Sequence, residues 1–432
     1  MKVGIYTLGC KVNTYESEYV ADVLENSGYT LSEFDDICDI YIINTCTVTN
    51  QSDSKSRKII HQAIRRNPNA CIVAMGCFVE ANKEIVIDGV DILIGNQNKS
   101  KIVSLIQEYF KTHQPIRHLA CELGTEFEDM EIKNFKERTR AFVKIQDGCE
   151  NFCTYCIIPY VRGKCRSKQR ETVIREIMDL VVHGYQEIVL TGIHIGNYGV
   201  DLGDSFYQLL QDILRIPGLK RLRISSIEVT ELTDPVLSLL EENDIICDHL
   251  HIPLQAGSDS ILKAMNRKYD LDYFRHKLEN IRKIRPNISI STDIIVGFPG
   301  EDEEMFQQTL DHAREFAFTK IHVFPYSIRK GTPASQFPNQ VDGMVKKKRS
   351  HLLMELSNEL EEKYMKRFLG QKVLVLIEQN KSGFSFGHTS NYLYVKIKGE
   401  YPTNSMVEVC LTDVNYPCCI GLVTNDKMLL KV

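Results

Sequence analysis

Cys149-Glu150-Asn151-Phe152-Cys153-Thr154-Tyr155-Cys156 puts three thiols at CxxxCxxC spacing, directly after the apolar run AFVKI and an Asp147-Gly148 turn. Three soft thiolates in one tight loop suit three irons of a [4Fe-4S] cube, and no fourth cysteine completes the short motif. One iron is then left open. An open iron can chelate the amino and carboxylate groups of S-adenosylmethionine (SAM), and electron transfer into the sulfonium would cleave it to a 5′-deoxyadenosyl radical. The competing reading is a structural zinc loop. Zinc would want a fourth protein ligand, and Cys165, the nearest further cysteine, lacks the spacing for it.

Cys10, Cys46 and Cys77 form a second pattern, because each follows an apolar run, in the contexts TLGC, INTC and AMGC. If these runs are parallel strands of a doubly wound domain, their C-terminal ends share one edge and the thiols converge. A converging triplet again leaves one iron open. The alternative is the ordinary buried cysteine, which is the reading for Cys38, Cys71, Cys121, Cys247, Cys410, Cys418 and Cys419.

The elements that must position these residues follow from periodicity. Residues 1–112 alternate short apolar runs with amphipathic stretches, which predicts a small doubly wound α/β domain. Residues 113–137, acidic and aperiodic from Glu122 onward, read as a linker. Over 138–366 six strand candidates (AFVKI, EIVLTG, RLRISS, HLHIPL, ISTDIIVG, KIHVFPYS), each followed by a helix-like segment, predict a partial (β/α)6 barrel with its chemistry at the C-terminal strand ends. That region closes with one long helix from Met344 to about Arg367. Residues 367–432 switch to short alternating strands, KVLVLIE, YLYVKIKG and MVEVCLT, and predict a small β-barrel.

Bulk properties fit this layout. The chain of 432 residues is 43% hydrophobic and 25% charged, a globular balance that excludes disordered and membrane classes. The N-terminus lacks the pattern of a signal peptide, so the expected location is the cytoplasm, where 14 cysteines mean metal or redox chemistry before disulfides. A net charge of −5 argues against coating nucleic acid by bulk charge. Three local basic patches stand out: Lys55, Arg57, Lys58, Arg65 and Arg66; Arg162 to Arg170; and Lys346 to Arg349. Each also reads as a solvated helix face.

The cysteine loop, with Tyr155 before its third cysteine, resembles the radical-SAM superfamily. The likeness extends through IIPYVRG (Pro159, Arg162, Gly163), HIPLQAGSD (His251 to Asp259) and TDIIVGFPGE (Thr292 to Glu301), and over essentially the whole chain it is that of the methylthiotransferase branch. The resemblance implies a SAM-cleaving [4Fe-4S] cluster on Cys149, Cys153 and Cys156, and an auxiliary, sulfur-supplying [4Fe-4S] cluster on Cys10, Cys46 and Cys77. It further implies that one SAM methylates a sulfur of the auxiliary cluster and a second generates the radical, with electrons from a flavodoxin- or ferredoxin-type donor. LGCKVNTYES and NTCTVTNQSDSKSR are most similar to the group acting on threonylcarbamoyladenosine at position 37, in the tRNA anticodon loop. The groups acting on isopentenyladenosine or on a ribosomal-protein aspartate remain alternatives, as does a non-catalytic iron–sulfur RNA-binding or electron-transfer protein.

For SAM itself the candidates are Gly192, Ser226 and Gln255 at strand ends, with Ser225, Glu228, Asp293 and Gly297 behind them. Ordinary turn chemistry accounts for any one of these equally well. His251 reads as a satisfied core histidine. GFPGE lacks the Lys-Ser/Thr ending of a phosphate loop, so nucleotide hydrolysis is rejected. GHTSNYLYVKIKG (Gly387 to Gly399) resembles the TRAM RNA-binding module, which implies that Phe384, Phe386, His388, Tyr392 and Tyr394 stack on unpaired bases instead of filling a barrel core. The expected partner is therefore tRNA, with neither membrane nor DNA.

Overall fold

The computed structural model describes residues 1–84, 86–120, 123–132 and 139–424. Cys121, parts of the expected linker and residues 425–432 lie outside them. The N-terminal sheet is built from β1 (Lys2–Thr7), β2 (Thr30–Ser32), β3 (Ile40–Thr45), β4 (Cys71–Gly76), β5 (Ile92–Ile94) and β6 (Ile116–His118). Helices α1 (Lys11–Asn26), α2 (Asn50–Arg66), α3 (Cys77–Ala81) and α4 (Ile102–Thr112) connect them. The strands are parallel in the order β2-β1-β3-β4-β5-β6. Every residue of β3 and β4 is buried, which is why IYIINT and CIVAMG read as unbroken runs: layers cover both faces of the sheet. Strand order reverses between β1 and β3, and such a reversal opens a crevice at the carboxyl ends of the strands.

The segment expected as linker is only partly one. Ile116–His118 pairs with β5 as an edge strand, too short to carry a period of its own. Met130 and Ile132 are buried in the barrel core together with Tyr15 of α1, so this stretch is packed between the two regions.

The barrel region contains β7 (Arg140–Lys144), a two-residue ribbon of β8 (Gln146–Asp147) and β9 (Arg166–Ser167), α5 (Ile158–Arg162), α6 (Arg170–Val182), β10 (Glu187–Thr191), α7 (Phe206–Ile213), β11 (Arg221–Ile224) and α8 (Asp234–Glu242). It continues through β12 (His249–His251), α9 (Asp259–Ala264), α10 (Leu271–Ile284), β13 (Ser289–Val296), α11 (Glu303–Glu315), β14 (Lys320–Pro325) and α12 (Gly343–Lys366). Strands β7-β10-β11 and β12-β13-β14 form two parallel sheets, joined by single parallel bridges at Leu222–Ile246 and Ser226–His251. The result is the expected open, six-stranded partial barrel.

β15 (Lys372–Lys381), β16 (Phe384–His388), β17 (Tyr394–Lys398), β18 (Met406–Asn415) and β19 (Cys418–Val423) close into a C-terminal β-barrel. β16 and β19 are additions to the sequence reading; each is broken by a glycine, and at Gly387 a Cβ would stand 1.8 Å from the Leu376 carbonyl oxygen. This barrel is fastened by β11: Arg221 donates to Leu374 O (2.6 Å) and His388 O (3.1 Å), and Arg223 to Ser390 O (3.1 Å). Both arginines ride on the buried Glu187 carboxylate, which Arg223 meets at 2.6 Å.

Candidate metal centres and nucleic-acid surface

The loop after β8 is held by backbone contacts on both flanks. Gly148 is left-handed (φ +76), and a Cβ there would stand 1.9 Å from Lys164 O, so only glycine fits before Cys149. Cys149 N donates to Gly163 O (3.0 Å), Thr154 N to Met265 O (3.1 Å) and Ala334 N to Thr154 O (2.9 Å). Cys153 is buried, while Cys149 and Cys156 are half-buried. Burial pushes the Cys156 thiol up to about 12, so binding iron there must displace a proton. Two side chains the sequence did not mark stand beside these sulfurs. Arg267 Nη1 lies 3.2 Å from Cys153 Sγ, backed by an ion pair to Glu228, and His194 Nδ1 lies 3.8 Å from Cys149 Sγ, paired to Glu231. Cys165 is engaged elsewhere, by Gln146 Nε2 at 3.1 Å and Asn197 O at 3.7 Å.

The other triplet gathers at the crevice of the N-terminal sheet. Cys10 caps α1 after β1, Cys46 follows β3, and Cys77 opens α3 after β4. Gly9 (φ +101) brings the Cys10 turn against the Cys46 loop so closely that a Cβ on Gly9 would sit 3.1 Å from Cys46 Sγ. Burial pushes the Cys46 thiol up, and the Cys77 and Cys10 thiols add to that push. Cys77 packs on Ile157 and Val161, immediately after the compact loop, so the two triplets are neighbours. Arg329, beyond β14, pins the Cys46 loop over the barrel mouth through Thr47 Oγ1 (2.6 Å), Asn50 Oδ1 (2.8 Å) and Asp53 Oδ2 (2.9 Å).

A buried ionic network lies between them. Arg162, fully buried, donates to Glu16 (3.0 Å), Asp147 (3.0 Å) and Asn13 Oδ1 (2.8 Å); Lys144 joins Glu16 (2.9 Å) and Asp147 (2.7 Å), and Lys99 joins Glu16 (3.2 Å). Burial alone would raise the Glu16 carboxyl, but Arg162, Lys144 and Lys99 outweigh it and hold the group far below the usual carboxylate range. With Arg166 at 3.6 Å from Asp147, the cations outnumber the carboxylates. Arg162 Nε is buried without a hydrogen-bond partner among the described residues, and the Arg162 charge is felt at Cys77 and Cys10. An anionic, thiolate-bound cluster fits this donor set: it would meet a surplus buried cation.

A single zinc ion fits neither triplet. Among the described residues, only His251, Asp293 and His322 bring three ligand atoms within 4.8 Å of one another. A zinc bonded to sulfur at about 2.3 Å would hold its thiolates inside about twice that length.

The SAM candidates fare differently from one another. Gly192 has no room for a side chain, since a Cβ would meet Gln146 O at 3.0 Å and Gln146 Oε1 at 3.1 Å; packing alone explains the glycine. Gln146 Oε1 in turn accepts from Ile193 N and His194 N. Ser226 is exposed at the end of β11 and Gln255 is half-buried in a left-handed turn (φ 69). Neither side chain has a hydrogen-bond partner among the described residues, which leaves both free for a ligand. Ser225 is buried, Glu228 is committed to Arg267 and Asp293 to His251 (3.2 Å). Gly297 N donates to Glu301 Oε2 at 3.0 Å, so the GFPGE turn is closed on its own carboxylate. His251 is satisfied as expected, with Ser291 Oγ at 2.9 Å on its other nitrogen, but it lines a cavity instead of the core.

The C-terminal aromatics do not fill their barrel. Phe384, Phe386 and His388 alternate with buried Ser385 and Gly387, and Tyr394 with buried Val395. They form an outward ladder of Phe384, Phe386 and Tyr394, with Phe386 stacked on Tyr394 (5.8 Å) and Lys396 4.0 Å over Phe384. The ladder runs inward through His388 (4.9 Å from Tyr394) to Tyr392 (4.7 Å from His388), itself stacked on His249 of β12. Of the three basic patches, Lys55, Arg57, Lys58 and Arg65 are exposed on α2. The patch at Arg162 to Arg170 is not a surface: Arg162, Arg166 and Lys168 are buried in ion pairs. Arg349 is likewise buried against Glu301 (2.7 Å). Among the described residues no helix is long and apolar enough to cross a membrane.

Residues 143–313 match the Radical SAM superfamily, and residues 2–95 match a family described as uncharacterized protein family UPF0004. The threonylcarbamoyladenosine tRNA methylthiotransferase MtaB of Bacillus subtilis (strain 168) is 42% identical over 426 residues, covering 96% of this chain and 94% of that one. The tRNA-2-methylthio-N(6)-dimethylallyladenosine synthase of Carboxydothermus hydrogenoformans is 38% identical over 384 residues, 87% of each chain. Among solved structures, the radical SAM methyltransferase TsrM from Kitasatospora setae, with cobalamin and a [4Fe-4S] cluster bound, aligns with a TM-score of 0.57 at 13% identity, over 77% of this chain and 73% of that one. That likeness is one of fold.

Proposed function

The chain belongs to the radical-SAM tRNA methylthiotransferases, and from that premise we propose that it converts N6-threonylcarbamoyladenosine at position 37 to the 2-methylthio derivative, using two SAM molecules and two [4Fe-4S] clusters. Cys149, Cys153 and Cys156 would hold the SAM-cleaving cluster, and Cys10, Cys46 and Cys77 the auxiliary one. When bound, these groups supply a strong hydrogen abstractor at the first site and sulfur at the second, which together suffice to replace an unreactive C–H bond by C–S–CH3.

The observation that carries the reading is the proximity of two three-thiol sites, each short of a fourth ligand, with a fully buried Arg162 between them. The protein's own work is then positional. The Arg162–Glu16–Asp147 network fixes α1, hence Cys10, against the compact loop, and Arg329 fixes Cys46 over the barrel mouth. Arg267 offsets thiolate charge at Cys153. Gln146 clamps the turn at Gly192, while Ser226 and Gln255 offer hydroxyl and carboxamide groups to the ribose and carboxylate of SAM. The outward ladder on the C-terminal barrel offers flat faces to the anticodon loop. Electrons come from a flavodoxin- or ferredoxin-type donor in the cytoplasm. The 38% identity to a dimethylallyladenosine enzyme keeps that nucleoside as the second reading.

The test is anaerobic reconstitution with iron and sulfide, then dithionite, SAM and anticodon stem-loops carrying either threonylcarbamoyladenosine or isopentenyladenosine. The proposal expects 5′-deoxyadenosine together with methylthiolated product from the first stem-loop. Product from the second alone would reassign the substrate; neither product, with clusters intact, would overturn the mechanism.

A further inference from the structure

A cavity of about 360 Å³ opens where all three regions of the chain meet. Lys11 enters it from the start of α1, His251, Lys320 and His322 from the barrel strands, and His388 and Tyr392 from the C-terminal barrel. Tyr392 stacks on His249 at 4.7 Å, giving the cavity a flat aromatic wall. Its lining is rich in cations and imidazoles. The one lining carboxylate among the described residues, Glu361, is already held by Lys320 at 2.5 Å and by Tyr416 Oη at 2.8 Å.

Lys11 has no such partner: among the described residues it makes no ion pair and no hydrogen bond. Lys11 is exposed to solvent and stands near the Arg223 and Arg140 guanidiniums. An unpaired ammonium among other cations is stabilised by an anionic ligand. It also directly follows Cys10, so an anion on Lys11 would lie beside the proposed sulfur donor. Threonylcarbamoyladenosine carries such an anion, the free carboxylate of its threonyl group, on the purine that must be methylthiolated. An isopentenyl group carries none.

We propose that Lys11 binds the threonyl carboxylate in this cavity and is thereby the residue that selects the acylated, anionic nucleoside. The inference rests on the threonylcarbamoyladenosine reading above. RNA phosphate is the other anion within reach of this chemistry, so the test removes the carboxylate and keeps every phosphate. Two anticodon stem-loops are compared, one with the threonyl acid and one with its carboxamide, on wild type, Lys11→Gln and Lys11→Arg matched for iron content. A hydrogen bond to a charged group is worth about 1.5–3 kcal/mol, so wild type should favour the acid by roughly tenfold or more in kcat/KM. Lys11→Gln should bring that ratio near one, chiefly through KM, and Lys11→Arg should restore most of it. An unchanged ratio in Lys11→Gln, or equal losses on acid and amide, overturns the inference while the substrate reading stands. Failure of wild type to modify the acid stem-loop overturns the substrate reading, and the inference with it.

Discussion

Cys149, Cys153 and Cys156 are delivered by one loop after β8, whereas Cys10, Cys46 and Cys77 arrive on three separate strand ends of another sheet. The first set needs only local geometry: Gly148, a few backbone hydrogen bonds and the spacing itself. The second exists only because β1, β3 and β4 lie side by side and because Gly9 and the Arg162 network press their loops together. The same donor set can thus be written as a motif or as a topology, and the two should fail in different ways.

The largest contrast is at the compact loop. Cys153→Ala should abolish 5′-deoxyadenosine formation from SAM, and continued production above background would sink that assignment. Next is the network between the sites. Arg162→Leu leaves Glu16 and Asp147 without their shared guanidinium, and breaking a buried pair by removing one partner costs about 3–5 kcal/mol. Urea unfolding of the metal-free protein should show that loss; a change below about 1 kcal/mol would mean Lys144 and Lys99 already satisfy the carboxylates. The smallest effect belongs to Glu187, whose ion-pair partners are arginines on β7 and β11. Burial pushes the Glu187 carboxyl up, but Arg223, Arg140 and Arg221 outweigh it and bring it down to about 2. A depressed carboxylate stabilises the fold above its unfolded value near 4.3 and loses that contribution as pH falls toward about 2, here about 3 kcal/mol in all. Unfolding followed from pH 7 to pH 2 should show this increment, and Glu187→Gln should remove it without changing iron content at pH 7. A fall in iron content would show that this ion-pair cluster and the cysteine sites are coupled.

What the sequence disclosed follows the same division. The compact loop was legible from spacing, and the second triplet from its place after apolar runs together with the family resemblance. Arg267, His194 and Lys11 were not legible, because each reaches its sulfur or cavity through packing between segments distant in the chain. Arg162 to Arg170 looked like a solvated patch, since charge in a sequence does not reveal whether carboxylates such as Glu16 and Glu176 wait inside. Phe384, Phe386 and Tyr394 of the C-terminal barrel were ambiguous until alternation with Ser385, Gly387 and Val395 put them on its outer face. Strands β6, β16 and β19 were missed for want of length or pattern.

The central claim is a division of labour between neighbouring cysteine sites. It is tested most directly by Cys46→Ala, reconstituted anaerobically and given dithionite, SAM and the threonylcarbamoyladenosine stem-loop, with 5′-deoxyadenosine and methylthiolated nucleoside measured in one reaction. The account predicts that 5′-deoxyadenosine persists and the methylthiolated nucleoside disappears. Methylthiolated product at the wild-type level would contradict it.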